Sequence, residues 1–180
     1  MAKKIAIIVG SLRKDSINKK LAQALMKLGP KDFSFQMVEI GDIPLYNQDE
    51  ENNPTDAVKR LKNEISAADA ILFVTPEYNR SIPGVLKNAI DHASRPYGQS
   101  AWRGKPAGIV GTSPGSTGTA MAQQHLRNIL VNLDMPAMAQ PEAFVQAREG
   151  LFDSKGDIGP DSLKFMQGWM DRFVSWVNRH

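Results

Sequence analysis

The stretch Ile5-Ala6-Ile7-Ile8-Val9, followed at once by Gly10-Ser11-Leu12-Arg13-Lys14-Asp15-Ser16-Ile17-Asn18, decides the fold. Five apolar residues in a row predict a strand buried on both faces, as in the interior of a parallel sheet. Gly10 ends the run, and a hydroxyl-rich loop leads into a helix N-terminus. Such a terminus presents free backbone N–H groups and partial positive charge, which suits a phosphate. Ser11 and Ser16 add hydroxyl donors, and Arg13 adds a planar cationic fork. An ordinary helix start would use the same residues differently, with Asp15 or Ser16 as the cap and Arg13 in solvent.

Working outward, strand and helix patterns alternate to the end of the chain. Ile17, Leu21, Ala24, Leu25 and Leu28 share one helical face, and Gly29-Pro30 is expected to stop that helix. Phe33, Phe35 and Met37 alternate with polar residues up to Ile40, which predicts a strand with one exposed face. Residues 41–53 form a polar loop, and Pro54 suits the first turn of a helix carrying Val58, Leu61, Ile65 and Ala68. Ala70-Ile71-Leu72-Phe73-Val74 is a second wholly apolar run. It breaks into Thr75-Pro76-Glu77-Tyr78-Asn79-Arg80-Ser81, and a helix follows with Val85, Leu86, Ala89, Ile90 and Ala93 inward. Residues 95–104 connect to a third run, Ala107 to Val110. That run gives way to Gly111-Thr112-Ser113-Pro114-Gly115-Ser116-Thr117-Gly118 and a helix with Met121, His125, Leu126, Ile129 and Leu133. A short strand around Ala143-Phe144-Val145 and a closing helix with Leu163, Met166, Met170, Phe173 and Val177 complete the series.

Alternating strands and helices imply one domain, residues 1–180: an α/β, doubly wound, five-stranded parallel sheet with helices on both faces. The continuous apolar runs belong in the middle. The alternating second strand and the short fifth belong at the edges, which matches the known flavodoxin-like order 2-1-3-4-5. In such sheets ligands bind beyond the carboxyl ends of the central strands. All three unusual loops follow central strands, so they should converge on one site.

Each loop has a competing, plainer reading. The first lacks the G-x-G-x-x-G of a dinucleotide fingerprint, although Glu39 could imitate its ribose-binding acid, and it lacks a Gly-Lys-Ser/Thr phosphate loop. A monophosphate remains. Pro76-Glu77-Tyr78-Asn79 would serve as an ordinary turn, but an aromatic beside an Asn after a buried strand also suits a flat heterocycle. The third loop is either a backbone cradle made close-fitting by glycine, or a flexible link in which Ser116 or Thr117 caps the next helix. His92, His125 and His180 have no metal-ligand spacing, so no metal is expected, and His125 is expected to pack on its helix. Ser113 lacks the G-x-S-x-G elbow of serine hydrolases. Trp169 and Trp176 read as anchors of the last helix.

Composition narrows the class. The chain has 180 residues, 42% of them hydrophobic, and a net charge of only +3, too mild to argue for nucleic acid. With no cysteine there is no disulfide, thiolate nucleophile or thiolate metal site. Any redox chemistry therefore needs a bound cofactor. No segment approaches the ~20 apolar residues of a membrane helix, and a cytoplasmic protein is expected.

Taken together, Gly10-Ser11-Leu12-Arg13 with Ser16 and Asn18, Pro76-Glu77-Tyr78-Asn79 with Ser81, Pro83-Gly84, and Leu86-Lys87-Asn88-Ala89-Ile90-Asp91 resemble the NAD(P)H-dependent FMN reductases. Within them the chain is most similar to the chromate- and quinone-reducing, azoreductase-like branch, from Lys3 to about Val145. The resemblance implies bound FMN, with Ser11, Arg13, Ser16, Ile17 and Asn18 on its phosphate and ribityl chain. Pro76, Glu77, Tyr78 and Asn79 would frame the isoalloxazine, and Ser113 with Gly115 would close its other edge. It also implies ping-pong hydride transfer from NAD(P)H through FMN to quinones, azo compounds, free flavins or oxidised metal anions such as chromate. No residue is required as acid or base. A homodimer or homotetramer is implied, with residues 83–93 at the interface. Arg80 and Arg95 are expected in loops near the mouth, where they would attract anionic groups. The alternative is a non-enzymatic flavodoxin-type electron carrier, but such carriers present an acidic face and this chain is basic.

Overall fold

The computed structural model describes residues 2–180. Five strands, β1 (Lys3–Val9), β2 (Phe33–Val38), β3 (Ala70–Val74), β4 (Ala107–Ser113) and β5 (Phe144–Gln146), form one sheet in the order β2-β1-β3-β4-β5. Every pairing is parallel. The expected doubly wound, flavodoxin-like sheet is therefore the observed one. All five side chains of β3 are buried, whereas β2 at the edge alternates.

The five helices are α1 (Ile17–Met26), α2 (Asp56–Ala67), α3 (Gly84–Ser94), α4 (Ala120–Asn132) and α5 (Pro160–Arg179). Alternate strand residues divide the interior in two. Ala6, Ile8, Ile71, Phe73 and Ile109 pack under α2, α3 and α4. Ile5, Ile7, Leu72, Val74 and Val110 pack under α1 and α5, where Trp169 and Phe173 stack with ring centroids 5.7 Å apart.

Several boundaries differ from the sequence reading, each for a physical reason. Pro54 lies outside α2, because Thr55 takes the cap and its hydroxyl accepts from the Val58 amide at 3.4 Å. β4 runs on through Gly111, Thr112 and Ser113, because these residues pair with Phe144, Val145 and Gln146. α1 ends at Met26, one residue before its cap Lys27, rather than at Gly29. Met121 and Leu163 point outward, although their spacing suggested the core. Trp102, in a segment that reads as a mere connector, is fully buried against Phe73, and its indole donates to the Ile90 carbonyl at 3.0 Å.

Candidate flavin site

The strand register brings the three loops together. Val9 lies beside Val74, and Val74 beside Val110, so β1, β3 and β4 reach one level. There the Gly10 amide donates to the Val74 carbonyl and the Thr75 amide to the Val110 carbonyl, both at 3.0 Å. Close packing at this level requires glycine. A Cβ on Gly111 would stand 2.2 Å from both the Thr75 carbonyl oxygen and the Thr119 hydroxyl. A Cβ on Gly10 would press at 3.3 Å on Leu86, Pro76 and Thr75.

In the first loop Ser16 is the cap of α1. Its buried hydroxyl accepts from the Lys19 amide at 3.2 Å. The capping hydroxyl keeps its own proton to donate, and the first-turn amides of Ile17 and Asn18 have no acceptor within the helix. The cap is the reading the structure shows, and it leaves donors free that an anion could use. Arg13 is exposed, and its amide donates to the Ser11 hydroxyl at 3.4 Å.

Asn18 does something the sequence did not suggest. Its side-chain amide donates to the Thr112 carbonyl and accepts from the Thr112 amide, both at 2.9 Å. Beyond the end of β3, Asn18 thus stands in for a neighbouring strand and ties the first loop to the third. This leaves its backbone amide, rather than both ends of its side chain, for a phosphate.

The second loop closes on itself. Tyr78 and Ser81 exchange two backbone hydrogen bonds of 3.0 Å, and between them Asn79 (φ 52°) and Arg80 (φ 62°) are left-handed. Asn tolerates that conformation, but for Arg it costs about 1–2 kcal/mol. Such strain collects where a ligand must be met. Pro76 is buried, and Tyr78 is half exposed. Among the described residues the amides of Asn79 and Arg80 donate to no protein acceptor. Glu77 turns its carboxylate to α4 and accepts from the Ala122 amide at 3.0 Å. In the third loop the Ser113 hydroxyl donates to the Gly118 carbonyl and folds the loop back on β4. Gly118 (φ 59°) lies against the backbone of Phe144, and a Cβ there would come within 2.6 Å of it. Gly115 is open, its hypothetical Cβ meeting only the Ser113 hydroxyl at 3.7 Å. The expected caps Ser116 and Thr117 do not cap α4; its N-cap is Thr119, whose hydroxyl accepts from the Gln123 side chain at 3.0 Å and caps no backbone amide.

All the expected cofactor residues therefore sit at one edge of the sheet. Of the two arginines only Arg80 does. Arg80 is in the second loop, whereas Arg95 follows α3, whose 11 residues carry it about 16 Å from the loop. Arg95 instead lines a small apolar cleft with Tyr46, Lys62 and His92. There the Tyr46 hydroxyl bonds Glu51, which with partial burial raises the phenol above its ordinary pKa. Asn88 straps down the long polar loop by accepting from the Tyr46 amide and donating to Pro44, both at 2.8 Å. An Asn among the apolar residues of a helical pattern was the available signal for that role. His125 bonds the Ser81 hydroxyl through Nδ1 at 3.0 Å, rather than only packing on its helix.

The arrangement fits a monophosphate joined to a flat ring. Unpaired amides and a hydroxyl lie at the α1 N-terminus, and an exposed aromatic with free amides lies one strand away. A sequence profile described as NADPH-dependent FMN reductase matches residues 3–149. The chain belongs to this family. The reductase is 53% identical over 178 residues to a 2-hydroxy-1,4-benzoquinone reductase of a Burkholderia species, covering 98% of this chain and 97% of the other. It is 52% identical over 174 residues to a quinone reductase of Pseudomonas putida, covering 96% and 94%. FerB of Paracoccus denitrificans, a flavoenzyme NAD(P)H:(acceptor) oxidoreductase, superposes with a TM-score of 0.95 at 47% identity, over 99% of this chain and 98% of FerB. The reductase is accordingly an NAD(P)H-dependent oxidoreductase with FMN as its cofactor. Among the described residues no helix is long and apolar enough to cross a membrane, and no cluster of His, Asp and Glu could hold a metal ion.

Proposed function

We propose that residues 1–180, as one domain, reduce quinones with NAD(P)H, with azo compounds, free flavins and chromate as further acceptors. The observation that carries this reading is the convergence of three loops at the carboxyl ends of β1, β3 and β4, the first two with unpaired amides, in a chain whose relatives are named quinone reductases. Bound there, FMN supplies two-electron transfer between nicotinamide and acceptor. The protein binds and orients. The hydroxyls of Ser11 and Ser16, the amides of Ile17 and Asn18 and the guanidinium of Arg13 hold the phosphate and ribityl chain. Pro76, Glu77, Tyr78 and Asn79 frame the ring, and Ser113 with Gly115 borders it. A quinone takes up two electrons and two protons, and solvent can furnish the protons at so open a site.

The enzyme works as a homodimer or homotetramer in the cytoplasm, where NAD(P)H is regenerated. Leu45 and Tyr97, on the loops beside α3, and Val131, in the last turn of α4, are 84%, 91% and 78% exposed, and such apolar exposure supports an interface there. Arg95 would then reach the mouth of a second copy's site, whereas Arg80 serves its own. Unchanged KM for NADPH and for anionic acceptors after Arg80→Ala with Arg95→Ala would remove that role.

A turnover screen crossing NADH and NADPH with a quinone, an azo dye, chromate and free FMN tests the acceptor range. Rapid bleaching of bound flavin by NADPH in stopped flow, followed by reoxidation with quinone, is the expected result. Flavin that stays oxidised under NADPH would favour an electron carrier.

A further inference from the structure

The strained second loop is held by more than its own two hydrogen bonds. It is bracketed by two contacts from α4. On one side of the left-handed pair, Glu77 accepts from the Ala122 amide at 3.0 Å. On the other, Ser81 bonds Nδ1 of His125 at 3.0 Å. Ala122 and His125 are three residues apart, so they share one face of α4. Tyr78, Asn79 and Arg80 are the residues between the two anchors.

The helix needs Glu77 as much as the loop does. α4 has no side-chain cap from Thr119 and no acidic residue in its first turn. A carboxylate 45 residues earlier supplies both the acceptor and the negative charge that a helix N-terminus favours. The start of α4 is in turn fixed against the sheet, where Thr119 packs on Gly111 with no room for a Cβ. Helix, turn and sheet thus form one rigid path to the exposed amides of Asn79 and Arg80.

We propose that Glu77 and His125 are positioning residues, which act through the 78–80 turn to set how the ring of the cofactor is held, while the phosphate cradle at α1 is left untouched. The inference rests on the flavin reading of the site. It changes the role of Glu77, which serves the ring from behind the loop rather than by touching it. His125, at the surface and outside every motif, enters the site's machinery through Ser81.

The test uses the FMN-loaded protein with Glu77→Ala, Glu77→Gln, His125→Ala and the double alanine variant. The readouts are the visible circular dichroism of bound flavin and its rate of reduction by NADPH at saturating FMN. Glu77→Ala should alter the flavin bands and slow reduction about tenfold, as expected for loss of one charged hydrogen bond. Glu77→Gln keeps an acceptor for the Ala122 amide and should recover to within about threefold of the parent. A parent-like spectrum and rate in the double variant would overturn the proposal. So would Glu77→Gln failing as badly as alanine, because the charge would then act on the ring directly. If Glu77→Ala does not fold, His125→Ala alone must still shift the flavin bands, and a parent-like spectrum there overturns the proposal. A parent protein that takes up no FMN would sink the flavin reading itself, a distinct outcome.

Discussion

The two ends of the same sheet are built on opposite principles. At the amino ends of the strands many polar groups are paired within the protein. Trp102 donates to Ile90, Lys105 donates to the last carbonyls of α2 at Ser66 and Ala68, and the Asp69 carboxylate takes the Lys4 amide at 2.7 Å. The Ala107 amide donates to Pro136, and its carbonyl accepts from Met138. At the carboxyl ends the reverse holds. Among the described residues the amides of Ile17, Asn18, Asn79 and Arg80 have no protein partner, and two successive non-glycine residues are left-handed. One end is closed for stability; the other keeps donors free for a ligand.

The sharpest way to break this contrast is to damage the closed end. Trp102→Ala removes a fully buried indole and its hydrogen bond to the Ile90 carbonyl. It should cost about 3–5 kcal/mol in urea unfolding, while the FMN Kd of the folded fraction stays unchanged. A matching loss of FMN affinity would show the two ends to be coupled.

The complementary experiment strikes the open end. Arg13→Ala with Ser16→Ala removes the charged fork and the capping hydroxyl. Contacts to charged groups are worth ~1.5–3 kcal/mol each, so FMN should bind at least about a hundredfold more weakly. Stability without FMN should fall only by the lost cap, about 1 kcal/mol. Unaltered FMN affinity would place the phosphate elsewhere.

How much of this contrast was legible in the sequence differs by end. The open end was largely readable, because its signals are local: an apolar run, a break at Gly10, a hydroxyl at Ser16, a turn at Asn79. Which runs were wholly apolar separated central strands from edge strands, and the order itself came from likeness to the flavodoxin-like sheet. What the sequence hid were bonds between distant segments. Nothing near Asn18 says that its amide completes β4 at Thr112, 94 residues on. Nothing near Glu77 says that it caps α4. The closed end was hidden more deeply. Trp102 sits between Gly98 and Gly104, without periodicity, so its burial follows only from the fold around it. Leu163 and Met121 erred the other way: helical spacing put them on a face, but the core did not extend to it.

The smallest effect concerns Lys105, which belongs wholly to the closed end. Partial burial pushes its ammonium below the ordinary 10.5, although its Nζ donates to Ser66 at 3.1 Å and to Ala68 at 2.6 Å. The folded state therefore releases this proton at a lower pH than the unfolded chain does. Between those two values the unfolded chain binds more protons, so stability must rise with pH. The window lies just under 10.5 and is alkaline. Lys62, lowered by the same cause, adds a gain of the same sign in wild type and variant alike. Lys105→Met keeps the stem and removes the charge. At neutral pH it should change stability by less than about 1 kcal/mol, since a burial cost and two hydrogen bonds are lost together. On raising the pH toward 10.5 the parent should gain relative to the variant, because only the parent sheds this strained charge. The measurement is the difference between the two unfolding free energies at a series of pH values, with FMN affinity followed in parallel. A flat difference would mean the ammonium is as well solvated folded as unfolded. A difference that moved FMN affinity with it would join the two ends of the sheet.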